Sequence, residues 1–403
     1  MHRIYENAVS SVKDAPVVVA FIESSQGGWC QQFAEEGYSV VHVAYPDASS
    51  GDLSSSLDAA GEYVKQSGRL WAIVTYGLLK DDSLALARLV SAAGEANLRA
   101  CIHYAPLTED PVGLLLRRDE GQYIQTLIHL ASSQEVSHAA LQSLLASSTL
   151  PAPRTSAEHA PLAFFTYPLV SASPPFPFAA KAPTLVVAGE TSSVDPYVRS
   201  ATSLAYSRTL DLLRRQLGPH FDLEKLWEKH TYYEFVERDA PKTMATMVKV
   251  PYVNHVATLT GGVGYEDLAR FYKYHFTRET VTPPDTELIT VSRTVGADRI
   301  IDEMIFKCTH TTEIDYFLPG IKPTGKPLEL AVVGVVAFRG DKLTFEHLYW
   351  DQASALVQLG LLDPEKVPAI AGVEVAKKVL DPFGHPSNEL MQRWKESEGL
   401  SID

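Results

Sequence analysis

The segment "KLTFEHLYWD" carries ionisable and aromatic side chains with the period of a β-strand. Because successive side chains of a strand point to opposite faces, one face carries Leu343, Phe345, His347, Tyr349 and Asp351. An apolar wall with a few polar groups is typical of a small-molecule pocket. Burial there can move carboxyl and imidazole pKa values toward neutrality, as general acid–base chemistry requires. We predict a pocket on this face, with Asp351 and His347 as catalytic groups and the aromatic side chains as substrate contacts.

A second segment, "RIIDEMIFKCTH", has the same alternation. One of its faces carries Asp302, Met304, Phe306, Cys308 and His310. We predict that this face lines the same pocket, with His310 as a third catalytic group. The Asp, Met and Phe side chains of this face would then contact the substrate. Glu346 and Trp350, on the opposite face of the first segment, should point away from the pocket.

Each candidate also has a purely structural explanation. Asp is a favoured helix N-cap, and Asp351 directly precedes the helical segment "QASALVQLG". His310 could instead bond a loop carbonyl at the end of its strand. Asp302 could form a salt bridge with Arg293 at the edge of the sheet. None of these groups has the spacing of a metal site, so we predict chemistry without a metal or a cofactor.

Both segments belong to a region, residues 250–380, with the pattern of an α+β fold. "GGVGYEDLARFYKYHF" predicts an amphipathic helix that buries Leu268, Phe271, Tyr272 and Phe276. Four long antiparallel strands follow, at Glu287–Val295, Arg299–Thr311, Pro327–Arg339 and Lys342–Asp351. The tight turn "RGDK" joins the last two. We predict a curved sheet wrapped on a helix, which is a cone with an interior pocket, followed by a C-terminal tail at residues 381–403.

Two stretches of this region, "THTTEIDYFLPGIKPTGKPLEL" and "GDKLTFEHLYWDQASALVQLG", make the assignment more specific. Over about residues 255–365 the chain resembles the SnoaL-like polyketide cyclases, within the nuclear-transport-factor-2-like superfamily. The resemblance implies a general acid or base at Asp351, near the end of the last long strand. It also matches His310 to a histidine of the family, and it implies a homodimer formed by sheet-to-sheet pairing.

The predicted strand Pro327–Arg339 offers an outward face suited to such pairing. This face carries Glu329, Ala331, Val333, Val335 and Ala337. These side chains are unusually small and apolar for a strand face in contact with water, so the face should be covered. We predict a homodimer formed largely through the cone domains; packing of this face on the N-terminal domain is the alternative.

Residues 1–245 alternate short apolar strands with longer helical patterns, as in a parallel sheet with helices on both faces. The predicted strands are "APVVVAFIE", "YSVVHVAYP", "LWAIVTY", "NLRACIHYAP", "APTLVVAGE" and "HTYYEFVERDAP". After "LWAIVTY" the chain turns sharply into a helix. In an α/β-hydrolase, such a strand–turn–helix holds the nucleophile.

Over roughly residues 15–245 the chain resembles the dienelactone hydrolases, with Thr75–Lys80 at the position of the family's elbow. The nucleophile position is Gly77, which has no side chain, and no histidine follows the last predicted strand. Asp195 is a candidate for the acid of the triad. We therefore predict an α/β hydrolase-like domain without a working triad. An unusual nucleophile, Thr75 or Tyr76, is the alternative, although neither has an evident base.

The composition excludes several other classes of function. The chain has 403 residues and a formal net charge of −14, which repels phosphate backbones, so nucleic acid is not an expected partner. Cys30, Cys101 and Cys308 are too few and too scattered for a disulfide framework or a zinc site. No apolar run approaches the ~20 residues that a membrane span needs. We expect a reduced, cytoplasmic protein without a membrane partner.

These patterns together predict a two-domain, cofactor-independent enzyme. It would act on a small, apolar, carbonyl-bearing molecule by proton transfer, in a cyclase, isomerase or lyase reaction. One alternative is a hydrolase of a lactone, ester or epoxide. The other is a non-catalytic small-molecule-binding or scaffold protein.

Overall fold

The computed structural model describes residues 2–46, 50–79, 83–108, 111–117, 123–147, 150, 160–170, 181–183 and 195–402. The chain divides into two compact units, Met1–Phe221 and Asp222–Asp403, called unit 1 and unit 2 below. The predicted boundary between residues 245 and 250 therefore lies inside unit 2. The reason is that the segment after Asp222 packs into unit 2, where Trp227 bonds Asp302. Among the described residues, no helix is both long and apolar enough to cross a bilayer.

Seven strands form one sheet in the described part of unit 1. They are β1 (His2–Tyr5), β2 (Val17–Ile22), β3 (Ser39–Ala44), β4 (Trp71–Tyr76), β5 (Leu98–Tyr104), β6 (Gln125–Ala131) and β7 (Leu162–Tyr167). Their order is β1-β3-β2-β4-β5-β6-β7. The edge strand β1 is antiparallel to β3, and the other pairs are parallel. The chain leaves β2 toward β3 and returns on the other side at β4, so the carboxyl ends of β2 and β4 flank a topological switch point.

Helices cover both faces of this sheet. They are α1 (Gly27–Glu35), α2 (Ser50–Ser67), α3 (Ser83–Ala93), α4 (Glu135–Ala146) and α5 (Pro196–Leu217). Side chains of α1 and α5 pack on the face that carries Val18 and Ile22 of β2. Side chains of α2, α3 and α4 pack on the face that carries Val17 and Val19. Because both faces of the central strands are covered, these strands are buried and mostly apolar rather than alternating, and unit 1 is a mainly parallel α/β unit.

Two predicted strands of the N-terminal region are not among the described strands. "APTLVVAGE" falls mostly on residues 184–194, outside the described residues. "HTYYEFVERDAP" is helical, because α6 (Leu223–Thr231) runs directly into a five-residue π-helix, Tyr232–Val236. The buried residues Leu223, Trp227, His230 and Glu234 are three or four positions apart, which is helical spacing. The strand prediction for this segment is therefore wrong.

Unit 2 contains a second sheet. Its described strands are β8 (Met247–His255), β9 (Thr260–Val263), β10 (Glu287–Val295), β11 (Arg299–Thr309), β12 (Pro327–Arg339) and β13 (Lys342–Trp350). Their order is β10-β11-β12-β13-β8-β9, and neighbours are antiparallel except for β13 and β8. The four predicted long strands agree with β10–β13 to within two residues at each end. β8 and β9 have no counterpart among the predicted strands.

The described helices of unit 2 complete an α+β unit. They are α6, α7 (Ala240–Ala245), α8 (Tyr265–Phe271), α9 (Gln352–Gln358) and α10 (Glu374–Leu380). α8 continues into a second π-helix, Tyr272–Phe276. The predicted apolar face is confirmed, since Leu268, Phe271, Tyr272 and Phe276 are all buried. Residues 381–402 are largely exposed and contain a short 3₁₀-helix, Trp394–Ser397.

A β-bulge in β13 controls which of its side chains are buried. Phe338 of β12 pairs with Leu343, but the next residue back, Ala337, pairs with Phe345. Thr344 is therefore the extra residue of the bulge, with no partner in β12. An extra residue shifts the alternation by one position, so the buried side chains change from odd to even numbers along this strand.

The bulge changes which side chains of β13 face the interior, so the prediction from strict alternation is corrected. Glu346 and Leu348 are buried and face the interior of unit 2, whereas the prediction placed Glu346 outside. Phe345, His347 and Tyr349 lie on the opposite face of the strand. Nothing in the residue types around Thr344 signals a bulge, so strict alternation was the natural expectation.

Gly77 follows β4 in a conformation that favours glycine. Its φ is +61°, in the left-handed region, and its N–H donates to the Tyr104 carbonyl at 2.9 Å. A Cβ at this position would meet no atom within 4 Å, so the space for a side chain exists even though the backbone would be strained. The turn that was predicted to hold the nucleophile position thus has room for a side chain and carries none.

We expect Gly77→Cys to produce no ester hydrolysis. A thiol at this turn needs a base within hydrogen-bond reach. His103, on the neighbouring strand, is fully buried and bonded to Thr75 at 2.8 Å between Nδ1 and Oγ1. Hydrolysis of a chromogenic ester would be compared in wild type and variant, and a rate above background that is sensitive to a thiol-blocking reagent would refute this expectation.

Candidate functional site

Unit 2 holds a pocket formed by its sheet together with α6, α8 and the two π-helices. The space among its lining residues that no atom fills is about 490 Å³, a figure that includes open solvent at the mouth of the pocket. Eight of the sixteen residues that line it are aromatic: Trp227, Phe235, Phe271, Tyr272, Phe276, Phe306, Tyr316 and Phe317. Among these sixteen, the charged residues are Glu234 and Glu346. The pocket is therefore an aromatic cavity with two carboxylates.

A histidine links the two carboxylates. His230 Nε2 lies 3.1 Å from Glu234 Oε1 and 3.0 Å from Glu346 Oε1. The Tyr272 hydroxyl is 3.3 Å from the same nitrogen and 3.4 Å from Glu346 Oε1. All four side chains are at least 96% buried. We call this group, His230, Glu234, Tyr272 and Glu346, the acid–base cluster.

Local structure brings the cluster together from four elements. His230 and Glu234 are four residues apart, so they share one face where α6 becomes a π-helix. Tyr272 begins the second π-helix, and Glu346 is turned inward by the bulge of β13. π-helical turns within α-helices occur frequently at functional sites. Here each of the two turns contributes one polar side chain of the cluster.

The hydrogen bonds of His230 indicate its protonation state. The Thr246 hydroxyl donates to the Thr243 carbonyl at 2.6 Å, so it can only accept from His230 Nδ1, at 2.5 Å. Nε2 faces two carboxylates and is also best protonated. Burial alone would lower the pKa of His230, but the charges of Glu234 and Glu346 outweigh it and raise the pKa to about 10. His230 is therefore an imidazolium at neutral pH.

Glu234 and Tyr272 are both shifted toward their protonated forms. Burial raises the pKa of Glu234; His230 opposes this shift, and the neighbouring carboxylate of Glu346 adds to it. Burial together with the same two carboxylates holds the pKa of Tyr272 well above its usual value. One imidazolium cannot neutralise two buried carboxylates, so the cluster retains a tendency to take up a proton. A buried carboxyl group with a raised pKa can act as a general acid or base.

His255 is a further polar group of the pocket lining. Burial lowers its pKa to about 4, so the ring is neutral at pH 7. The ring interacts with the backbone of Thr260, and its Nδ1 is buried without a hydrogen-bond partner in the described part of the chain. A buried nitrogen without a partner costs stability unless a ligand or water satisfies it. His255 is therefore a residue of the pocket lining whose Nδ1 lacks a hydrogen-bond partner in the described part of the chain.

Three members of the acid–base cluster could also hold a metal ion. His230, Glu234 and Glu346 each offer one ligand atom, and these atoms all lie within 4.8 Å of one another. Imidazole and carboxylate suit several divalent ions. An ion at this position would have to displace the proton that His230 Nε2 shares with the carboxylates.

The predicted catalytic group His347 lies outside this pocket. Its Nε2 is 3.1 Å from the Tyr252 hydroxyl, and its Nδ1 is 3.4 Å from the Tyr349 hydroxyl. Phe345 stacks on Tyr252 with ring centroids 4.8 Å apart. These residues form an aromatic group on the opposite face of the sheet from Glu346. Their predicted position in the pocket is corrected, because the bulge reverses the alternation.

His310 and Asp302 have structural partners. His310 Nδ1 is 3.1 Å from Thr324 Oγ1, and the Gly325 N–H donates to the His310 carbonyl at 2.9 Å. This histidine therefore supports the turn that follows it rather than lining the pocket. Asp302 is fully buried, accepts from Arg293 at 2.6 and 2.8 Å, and accepts from Trp227 Nε1 at 2.8 Å. Asp302 therefore forms the salt bridge with Arg293 that was the structural alternative to a substrate contact.

Asp351 is the N-cap of α9. Its Oδ1 accepts from the Ala353 N–H at 2.9 Å, and its Oδ2 accepts from the Ser354 hydroxyl at 2.7 Å. It is exposed and does not line the pocket. In the described part of the chain, Asp351, His310 and His347 share no hydrogen bond, so the predicted proton relay is not assembled.

We expect Asp351→Asn to leave both turnover and stability nearly unchanged, because Asn caps helices as well as Asp. Asp351→Ala should lose the cap and cost about 1 kcal/mol. Thermal unfolding and steady-state kinetics of the two variants provide the measurement. A large loss of turnover in the Asn variant, at unchanged stability, would restore Asp351 as a catalytic group.

Met304 and Phe306, the remaining predicted contacts, line the pocket from β11. Their role in substrate binding stays a prediction.

The residues that the sequence-based reasoning missed are His230, Glu234 and Glu346. For the first two a signal existed, because Trp227, His230 and Glu234 follow one another at helical spacing behind the N-cap Asp222.

Unit 1 holds a smaller polar pair that was also missed. Thr75 Oγ1 is 2.8 Å from His103 Nδ1, so Thr75 does have a histidine beside it. Both side chains are fully buried, and burial lowers the pKa of His103 to about 4. Asp195, the candidate acid, is the N-cap of α5 and accepts from the Tyr197 N–H at 2.7 Å. No pair of these groups forms a nucleophile with an accessible base among the described residues.

Comparison with solved structures finds similar chains for about a third of this protein. A putative SnoaL-like polyketide cyclase from Jannaschia sp. is 13% identical, with 36% of this chain and 99% of that chain covered and a TM-score of 0.28. A putative hydroxylase from Streptomyces galilaeus is 16% identical, covering 35% and 96%, with a TM-score of 0.28. A hypothetical protein with a ketosteroid isomerase-like fold from Catenulispora acidiphila, solved with trimethylamine, is 12% identical, with 34% of this chain and 94% of that chain covered and a TM-score of 0.28.

No protein-family model and no curated protein matches the sequence. The identities and TM-scores of the structural matches are low, so our account of unit 2 rests on its own topology and contacts.

Proposed function

We propose that unit 2 is a SnoaL-like, cofactor-independent enzyme that moves protons on a small carbonyl-bearing molecule. The observation that carries this proposal is the acid–base cluster, in which His230 lies 3.0–3.1 Å from two buried glutamates on an aromatic pocket. A carboxyl group whose pKa burial has raised is the usual device for proton transfer in an apolar site.

Each residue of the acid–base cluster has its own role in the proposed reaction. The Glu234 carboxylate removes a proton from the carbon beside the carbonyl, and the electron pair of that C–H bond forms the double bond of an enolate. Tyr272 keeps its proton and can donate a hydrogen bond to the carbonyl oxygen as negative charge develops there. If the substrate is a β,γ-unsaturated ketone, the product of this step is a dienolate, and the Glu234 carboxylic acid returns the proton to its γ-carbon, which completes an isomerisation without any external reagent. His230 and Glu346 position and charge-balance the base.

A panel of substrates tests this proposal against its alternatives. Enolisable ketones and β-dicarbonyl compounds should exchange their α-protons with solvent, and those with a β,γ double bond should also isomerise, whereas lactones, esters and epoxides should not be turned over. Turnover should survive treatment with a metal chelator. Hydrolysis of the second group alone would favour the hydrolase alternative. Binding of ketones without turnover would favour a non-catalytic small-molecule-binding protein.

For unit 1 we propose a dienelactone hydrolase-like fold without hydrolase activity. The parallel sheet, the switch point at β4 and the left-handed turn at Gly77 support this proposal. The three cysteines are buried and free, which suits a reducing, cytoplasmic location.

We expect a homodimer formed through the outer face of the unit 2 sheet. Ile301, Val333 and Tyr349 are 38–43% exposed there, and Val333 pairs directly with Tyr349 in the sheet register. Covering this apolar face would remove it from water. Light scattering should give twice the chain mass, and Val333→Arg should shift it toward one chain mass. Leu259→Arg, on an exposed turn, is the control; a wild-type monomer at micromolar concentration would refute the dimer.

A further inference from the structure

His255 is the histidine among the residues that line the pocket, and aromatic side chains enclose its ring. It is 3% exposed, and its ring centroid lies 5.4–6.3 Å from the centroids of five neighbours: Phe271, Phe276, Tyr316, Phe317 and Trp350. Two of these neighbours have polar atoms, and both bond elsewhere. The Tyr316 hydroxyl bonds Thr282 Oγ1 at 2.9 Å, and Trp350 Nε1 donates to Gln352 Oε1 at 2.6 Å.

The hydrogen-bonding capacity of the His255 ring is therefore not fully used. Its Nδ1 is buried and has no hydrogen-bond partner in the described part of the chain, while the ring interacts with the backbone of Thr260. His103 and His310 also each have a buried ring nitrogen without a partner among the described residues, but neither lines the pocket. A nitrogen of this kind destabilises the free protein, and a bound group that pairs with it removes the penalty.

The state of the ring selects the kind of group that pairs with it. Burial keeps His255 neutral at pH 7, so one ring nitrogen donates a hydrogen bond and the other accepts one. A hydroxyl group both donates and accepts, so it can pair with Nδ1 in either tautomer. A ketone carbonyl only accepts. A hydroxyl group is also neutral, so it enters an aromatic cavity without the penalty of burying a charge.

The strand register separates this position from the acid–base cluster. His255 of β8 pairs with Leu348 of β13, whereas Glu346 pairs with Val253. All four side chains line the pocket. Two residues along a strand correspond to about 7 Å. A group bound at His255 therefore lies on a different part of the ligand from the carbon that reacts at the cluster.

We infer that His255 binds a hydroxyl group of the substrate, so that the substrate is a hydroxy ketone whose hydroxyl is remote from the reacting carbonyl. This inference rests on the proposed function only for the ketone, since recognition of the hydroxyl follows from His255 itself. His255 is then a specificity-determining residue and takes no part in the proton transfer.

Two ketones that differ in a single group test the inference. One is a β-tetralone with a hydroxyl group on its aromatic ring, and the other has a methyl group, of similar size, at the same position. Isothermal titration with the full-length protein should give an affinity about 10-fold higher for the hydroxy ketone, the usual gain from one neutral hydrogen bond.

Two variants of His255 separate recognition from a structural role. His255→Phe keeps an aromatic ring without a nitrogen and should abolish the preference for the hydroxy ketone. His255→Asn places an amide near the position of Nδ1 and should keep part of the preference. His275→Phe, at an exposed histidine outside the pocket lining, should retain all of it. Equal loss of the preference in both His255 variants would indicate a change in pocket shape and would overturn the inference.

Equal affinity of wild type for the two ketones, or binding of neither, would also overturn the inference, and this result does not depend on the folding of any variant. A preference that persists in His255→Phe would overturn it as well, because another group would then recognise the hydroxyl.

The proposed function is measured separately, by exchange of the α-proton with solvent deuterium. Exchange in wild type without a preference for the hydroxy ketone would leave the proposed function intact and overturn the inference. A preference that His255→Phe abolishes, without any exchange in wild type, would refute the proposed function and support the hydroxyl site.

Discussion

Glu234→Gln is expected to lower turnover of a ketone substrate by roughly 10²–10⁴-fold, the usual effect of losing a positioned general base. Glutamine has nearly the same volume, and its amide can still accept from His230. The fold should therefore be retained, and substrate affinity should change far less than the rate. Steady-state kinetics with one substrate, together with thermal unfolding, provide the measurement.

Glu303→Gln is the matched control for this rate. Glu303 lies on β11 in the same unit and bonds Ser292 at 2.9 Å, outside the pocket lining. It should keep wild-type turnover. An equal loss of turnover in both variants would mean that the effect is not specific to the acid–base cluster.

His230→Gln is expected to destabilise unit 2 by about 3–5 kcal/mol, because it removes the cation between two buried carboxylates. Replacing one of those carboxylates as well should recover part of the loss. The double variant His230→Gln with Glu346→Gln should therefore be more stable than His230→Gln alone. Urea-induced unfolding measures all three proteins.

The pH dependence of stability provides a second readout for His230. Its pKa is about 10 in the folded protein, above the value of ~6.5 for an unperturbed histidine. Folding therefore takes up a proton between these values, and the stabilisation is complete below ~6.5 and lost as pH rises toward 10. His230→Gln should lack this fall. His275→Gln, an exposed histidine paired with Asp315, should retain it, and a wild-type stability that is flat over this range would contradict the assignment.

The sequence predicted the strands of unit 2 better than its site. β10–β13 are long runs of alternating or apolar residues, so their existence and bounds follow from local pattern. The pocket face of β11, with Met304 and Phe306, follows from the same pattern. On β13 the pattern fails at Thr344, because a bulge is fixed by pairing with β12 and not by the residue types of one strand.

The acid–base cluster could not be predicted from the sequence for a different reason. "TYYEFV" is rich in residues that favour β-strands, yet the segment continues α6 as a π-helix. Burial of Trp227 and His230, which contact Asp302 of β11 and Glu346 of β13, outweighs this local preference. A buried glutamate is also rare without partners. From sequence alone, Glu346 is therefore expected at the surface. Only the three-dimensional structure shows that His230 lies beside it and neutralises it.

Incorporation of solvent deuterium beside the carbonyl tests the central claim most directly, because it detects proton transfer without knowledge of the natural product. Wild type in deuterium oxide should exchange the α-proton of a bound ketone at a rate well above the buffer background, as followed by proton NMR. Glu234→Gln should reduce this exchange by at least ~10²-fold, and Asp351→Asn should not. Exchange that persists in Glu234→Gln and disappears in Asp351→Asn would contradict the account and place the chemistry outside the acid–base cluster.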